Sequence, residues 1–231
     1  MLKETLELHS HLNPALWDKN QNLLPEVDDR LHKIVNKFQS ECMLPLDIVD
    51  VHLVGSNASF NYTSHSDLDV HIVVNFSLVD CDKEILMTAY NLQKAKFNSD
   101  YDISIRGIEI ELYIEDIESN TMSNGIYSLY EKRWIKKPQP IQVPDIDVSN
   151  QVNQLADKIR NILSSEDSIE VTKTINMLYM MRKNSLAVEG EYGRGNLIFK
   201  GIRDLGLLDA LKDRLKELQS RELTLEQMDE G

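Results

Sequence analysis

The sequence predicts an α/β (α+β) fold, a sheet with flanking helices followed by a helical C-terminal part. Three observations predict it. Apolar, strand-like stretches occur at 48–54, 67–76 and 100–116. Residues at helical spacing lie before and between them, and from about Val148 the apolar residues keep helical spacing to the end.

Taken in order, the first residues read as a short helix or arm interrupted at Asn13-Pro14, with Leu12, Leu16 and Trp17 available to dock on the body. Pro25 suits a first helical turn, and Val27, Leu31, Ile34, Val35 and Phe38 follow as a packing face. His9, His11 and His32 show no ligand pattern and read as surface residues. Strands over Ile48–Val54 and Asp67–Phe76 come next. Asp80 reads as the N-cap of an amphipathic helix carrying Ile85, Leu86, Ala89, Tyr90 and Leu92. The stretch DYDISIRGIEIELYIED alternates about an Arg106-Gly107 turn, as a hairpin does. Ile108, Ile110, Leu112 and Ile114 then face the core, and Glu109, Glu111 and Tyr113 face away from it.

Residues 117–147 have weak periodicity and read as a connector crossing the surface. Its cations Lys132, Arg133, Lys136 and Lys137, around Trp134 with Tyr127 and Tyr130, are read as snorkelling over the edge of the fold, with base stacking or acceptor binding as the alternative. Beyond it lie three helical stripes: Val152, Leu155, Ile159 and Ile162; Ile175, Leu178 and Met181; and Leu207, Leu208, Leu211, Leu215 and Leu218. Met177, Met180 and Met181 read as core filling. The glycines of RKNSLAVEGEYGRGNLIFKGIR mark a loop between helices, basic through Arg182, Lys183, Arg194, Lys200 and Arg203. The expected division is a core of 1–147 and a helical domain of 148–231.

A hydrophobic content of 42% and a charged content of 27% describe a globular chain that buries a proper core. The formal net charge of -13 argues against a nucleic-acid binder that relies on a basic face. The two cysteines, Cys42 and Cys81, have no metal-ligand spacing and read as buried, reduced thiols in a cytoplasmic setting. The N-terminus has no signal-peptide core, no segment has membrane-spanning length, and no membrane partner is expected.

Chemistry concentrates in VHLVGSNASFNYTSHSDLDVHIVV, residues 51–74. Side chains alternate along a strand, so Asp67 and Asp69 share one face. Carboxylates that close repel unless a cation lies between them, and hard oxygen ligands with room for phosphate suit Mg²⁺. At the end of the preceding strand, Gly55 allows close backbone approach or positive φ, and Ser56 with the N–H groups opening a following helix suits an anion. His71 continues the face of the two aspartates and is read as a sheet-edge histidine, with a place near the metal or nucleotide as the alternative. His65 is read in the same way.

An apolar strand, Gly55-Ser56, ten further residues and then Asp67-Leu68-Asp69 entering a second apolar strand resemble the motif of the polymerase β-like nucleotidyltransferase superfamily. The resemblance covers about residues 45–116, and the compact size also resembles phage or mobile-element types. In haloacid-dehalogenase-like phosphatases and many glycosyltransferases the apolar run leads into the first Asp, whereas here it follows. The resemblance implies a mixed nucleotidyltransferase sheet with flanking helices. It implies Asp67, Asp69 and a third carboxylate, Glu111 with Glu109 as runner-up, as catalytic metal ligands for Mg²⁺, for which Mn²⁺ substitutes. Gly55 and Ser56 would cradle the triphosphate and Ser66 would steady the loop. The helical part closes the cleft in many members, so Arg182, Lys183 and Lys200 become candidate nucleotide contacts, with pairing to nearby acids as the alternative. The implied reaction moves a nucleoside monophosphate from an NTP to an acceptor hydroxyl and releases pyrophosphate. The acceptor, whether small molecule, protein or RNA 3′ end, stays open, with acidity favouring a compact one. A catalytically silent nucleotide- or partner-binding module and a metal-dependent phosphohydrolase are the rival readings.

Overall fold

The computed structural model describes residues 8–119, 121–140 and 146–225. Internal contacts divide the described residues into two compact units, one over residues 8–140 and one over residues 146–225.

The first unit is the expected mixed sheet with helices. Helix α1 (Pro25–Glu41) starts with proline in its first turn, where the missing N–H costs nothing, and buries Val27, Leu31, Ile34, Val35 and Phe38. Strands β1 (Ile48–Val54) and β2 (Leu68–Val74) are antiparallel, with His52 opposite His71 and Val54 opposite Asp69. Helix α2 (Lys83–Asp100) carries the chain from β2 to β4 (Ile108–Asp116), which lies parallel to β2, a pairing that requires such a crossover. A short β3 (Ser104–Ile105) precedes β4, and Arg106 and Gly107 both take positive φ, as a two-residue hairpin turn demands.

Two further strands, β5 (Ile126–Ser128) and β6 (Arg133–Lys136), extend the sheet beyond β1, so the order is β3-β4-β2-β1-β5-β6. The expected surface connector is thus partly sheet. Its aromatics serve packing. The ring of Trp134 stacks on Trp17 with centroids 4.7 Å apart, its indole N–H donates to the Gln21 carbonyl at 2.8 Å, and Tyr127 meets Trp17 edge-on. That contact seats the N-terminal arm, in which Leu12, Leu16 and Trp17 are buried. Short strands without clean alternation leave little trace in a sequence, because their pairing partner is distant.

Four local expectations change, the first being that Cys81 is exposed and Cys42 only half-buried where both were expected buried. Asp82, not Asp80, caps α2, accepting from the backbone N–H groups of Glu84 and Ile85. That helix buries Leu86, Tyr90 and Phe97, while Ile85 and Leu92 point to solvent. His9 is engaged, stacked on Tyr62 with centroids 3.9 Å apart.

The second unit is helical: α3 (Ser149–Ile162), α4 (Ser168–Glu189), α5 (Arg194–Asp204) and α6 (Leu207–Leu223). Its core gathers Val152, Ile159, Val171, Leu178, Leu197, Ile202, Leu208 and Leu211. Met181 joins its edge, but Met177 and Met180 are exposed, so the methionines are not all core filling. The glycine-marked loop shrinks to residues 190–193, because α4 runs on through Arg182 and Lys183 and α5 begins at Arg194. A Cβ at Gly195 would lie 2.9 Å from the Met181 carbonyl, so this glycine lets α5 approach α4 closely. No helix among the described residues is long and apolar enough to cross a membrane.

Candidate active site

In β2 the inward face is Leu68, Val70, Ile72 and Val74, all buried. The period of two therefore sends Asp67, Asp69 and His71 to the other face. The parallel register of β4 sets Glu111 beside Asp69 and Tyr113 beside His71. Asp67, Asp69 and Glu111, all half-buried, each present a carboxylate oxygen, and these oxygens lie within 4.8 Å of one another. Among the described residues this is the group whose geometry suits a metal ion. Glu109 is exposed, faces Ser104 of the edge strand and takes no part in the group.

Gly55 follows β1 with φ of 76°. A Cβ there would meet Asp69 Oδ2 at 1.9 Å, so the glycine serves both a backbone conformation and the space that Asp69 fills. The segment after it is a single 3-10 turn, Ser56–Ala58, where a helix was expected. The Ser56 hydroxyl donates to Ser66 Oγ at 2.9 Å, and Ser66 Oγ also accepts from the Thr63 N–H at 2.9 Å. The two serines thus tie the ends of the loop together. His65 is exposed at its tip.

Three contributors escape sequence reading. The fully buried Asn57 donates its amide to the carbonyls of Ser66 (3.0 Å) and Asp67 (2.8 Å). It accepts from Asn13 Nδ2 through its side chain and from Trp17 Nε1 through its carbonyl, both at 2.8 Å. One side chain therefore anchors the start of the acidic strand to the arm. A polar residue after Gly-Ser was its only trace in the sequence. Lys94 of α2 is the second: Nζ stands 3.7 Å from Glu111 Oε1 and 4.0 Å from the Tyr113 ring centroid, with little of the side chain exposed. Tyr113 is the third. Burial pushes its phenol well above the usual range, and a hydrogen bond to Glu111 and the charges of Asp69 and Asp67 add to the shift.

His71 lies in the middle of the sheet, not at its edge, with Nδ1 2.8 Å from Glu115 Oε2. Burial alone would raise the Glu115 pKa, but hydrogen bonds from His71 and Thr121 bring it below the ordinary value. Arg182, Lys183 and Lys200 belong to the helical unit. Arg182 lies over the Phe199 ring at 4.9 Å, Lys200 pairs with Glu191 at 3.1 Å, and Lys183 is exposed.

The donor set is all carboxylate, hard and anionic, and fits Mg²⁺ or Mn²⁺ better than a soft metal. Its oxygens are close enough to share one ion.

No protein-family model and no curated protein matches the chain. Among solved structures, the crystal structure of spectinomycin adenyltransferase AAD(9) from Enterococcus faecialis with ATP and spectinomycin is similar at 16% identity and a TM-score of 0.23. The match covers 81% of this chain and 97% of that one.

Proposed function

We propose that this chain is a Mg²⁺-dependent nucleotidyltransferase of the polymerase β-like type, moving a nucleoside monophosphate from an NTP to an acceptor hydroxyl. The observation that carries the reading is the meeting of Asp67, Asp69 and Glu111, from adjacent parallel strands, within 4.8 Å beside the Gly55-Ser56 turn. A binding module has no need of three mutually repelling carboxylates, and this favours turnover over the silent alternative.

Asp67, Asp69 and Glu111 would hold the cation. When bound, Mg²⁺ neutralises charge on the triphosphate and on the leaving pyrophosphate. The acceptor oxygen forms a bond to the α-phosphorus, the bond between the α-phosphorus and the α,β-bridging oxygen breaks, and that oxygen departs with its electron pair as part of pyrophosphate. Glu111 receives the hydroxyl proton, a role suited to a carboxylate at hydrogen-bond reach of the acceptor. Gly55 keeps the backbone clear of Asp69, Ser56 contacts the triphosphate, and Ser66 holds the loop closed on it.

The test is label transfer from each of the four ribonucleoside triphosphates, labelled at the α-phosphate, with Mg²⁺ or Mn²⁺. Transfer with pyrophosphate release, lost in Asp67→Ala/Asp69→Ala, is the expected result. Orthophosphate release would make the chain a hydrolase, and metal-dependent nucleotide binding without turnover would restore the silent module.

A further inference from the structure

On the sheet face that carries the three acids, the next row of side chains is also polar, and nothing in the reaction above uses it. His52 of β1, His71 of β2 and Tyr113 of β4 stand side by side, because His52 pairs with His71 and His71 with Tyr113. Cross-strand neighbours lie about 5 Å apart, and this row is one two-residue step, about 7 Å, from Asp69 and Glu111. Each imidazole is backed by its own carboxylate. Asp50 Oδ2 lies 3.2 Å from His52 Nε2, and Glu115 Oε2 lies 2.8 Å from His71 Nδ1.

The carboxylates are held in turn. Asp50 Oδ1 accepts from the Val51 N–H at 2.7 Å, the Ser128 hydroxyl at 2.9 Å and the Tyr130 N–H, and Glu115 accepts from Thr121. All four side chains keep 12–20% of their surface exposed, so the row is reachable but ordered. A carboxylate draws the ring N–H to its side, which leaves the second nitrogen of each ring for a ligand. A hydroxyl meets that nitrogen in either protonation state, because it both donates and accepts. A phosphate or carboxylate would face Asp50 and Glu115 behind the rings and the three acids beside them.

We propose that His52 and His71 form the acceptor subsite, and that it takes a compact polyhydroxylic acceptor, uncharged or cationic. Asp50 and Glu115 are positioning residues that fix the two rings. The proposal rests on the nucleotidyltransferase reading, since it names where that reaction's acceptor sits.

The experiment is isothermal titration of the full chain in two stages. The first adds Mg²⁺ with α,β-methylene ATP, and Asp67→Ala/Asp69→Ala must lose that binding. Failure here sinks the nucleotidyltransferase reading and the subsite with it. The second stage titrates the loaded protein with myo-inositol, glucosamine and an RNA trinucleotide bearing a free 3′ hydroxyl. Binding of a polyol, weakened about tenfold by His52→Ala and by His71→Ala, is the expected result, with nucleotide affinity held within about twofold. His52→Gln and Glu115→Gln, closer in shape, guard against misfolding. Each should weaken the polyol at an unchanged melting temperature. The subsite is overturned, with the first stage intact, by no polyol binding, by polyol binding indifferent to these changes, or by RNA binding more tightly and losing affinity in the same variants.

Discussion

A Cβ on Gly55 would stand 1.9 Å from Asp69 Oδ2, inside any permissible contact. The turn that ends one strand and the acid on the next are therefore a single fitted unit. Gly55→Ala must either distort a backbone with φ of 76° or push the carboxylate out of the group. We expect it to cost about 1–3 kcal/mol of stability and to weaken Mn²⁺ binding at least as much as Asp69→Asn does. Thermal melting and Mn²⁺ titration measure the two effects.

The acids repel one another without a cation between them. Asp67→Asn, Asp69→Asn and Glu111→Gln should each leave the metal-free protein as stable as wild type or more so. A cation held only by the native state raises the melting temperature, so Mg²⁺ is expected to raise that of the wild type and not that of these variants. Glu109→Gln should behave as wild type, because Glu109 lies outside the group. A loss of the Mg²⁺ effect in Glu109→Gln, but not in Glu111→Gln, would reverse the assignment.

Lys94 brings a positive charge to 3.7 Å from Glu111 Oε1. A divalent ion entering the acidic group without nucleotide would be repelled by that charge. Lys94→Met should therefore tighten Mn²⁺ binding in the absence of nucleotide by about threefold to tenfold, and less at high salt. Weaker binding in the variant would mean that Lys94 chiefly holds Glu111 in place.

Asn57 spends its side chain on the Ser66 and Asp67 carbonyls and on Asn13, with no solvent to replace them. Asn57→Ala should cost about 2–4 kcal/mol. Urea denaturation would show a lower midpoint at an unchanged slope.

Asp116 is nearly fully buried, with Lys83 Nζ 2.5 Å from its Oδ2. Burial would raise its pKa, but Lys83 and the N–H groups of Phe76 and Glu118 hold it below the usual carboxylate value. A pKa lower in the folded than in the unfolded state stabilises fully above the unfolded value of 3.8 and is lost as pH falls through the folded one. The stability gap between wild type and Asp116→Asn should be constant at neutral pH and close below about pH 4. Denaturation curves from pH 3 to 7 decide it.

The pairing of Asp67 with Asp69, the glycine before the loop and the outward face of Glu111 were all legible along the chain, because strand alternation is a local rule. So were the packing face of α1 and the Arg106-Gly107 hairpin. The choice between Glu111 and Glu109 was not. They share a face and a residue type, and only the register of β4 against β2 sets Glu111, not its neighbour, beside Asp69. Lys94, Asn57 and Trp134 took their places in the same way. A helix crossing, a buried amide bridge and an aromatic stack each join residues far apart in sequence, and no short-range period announces them. His71 read as a sheet-edge histidine and His52 drew no reading, until antiparallel pairing set the two opposite each other. Periodicity assigns a side chain to a face, whereas the strand order and register that bring two faces' residues into one site are set by long-range packing of the whole core.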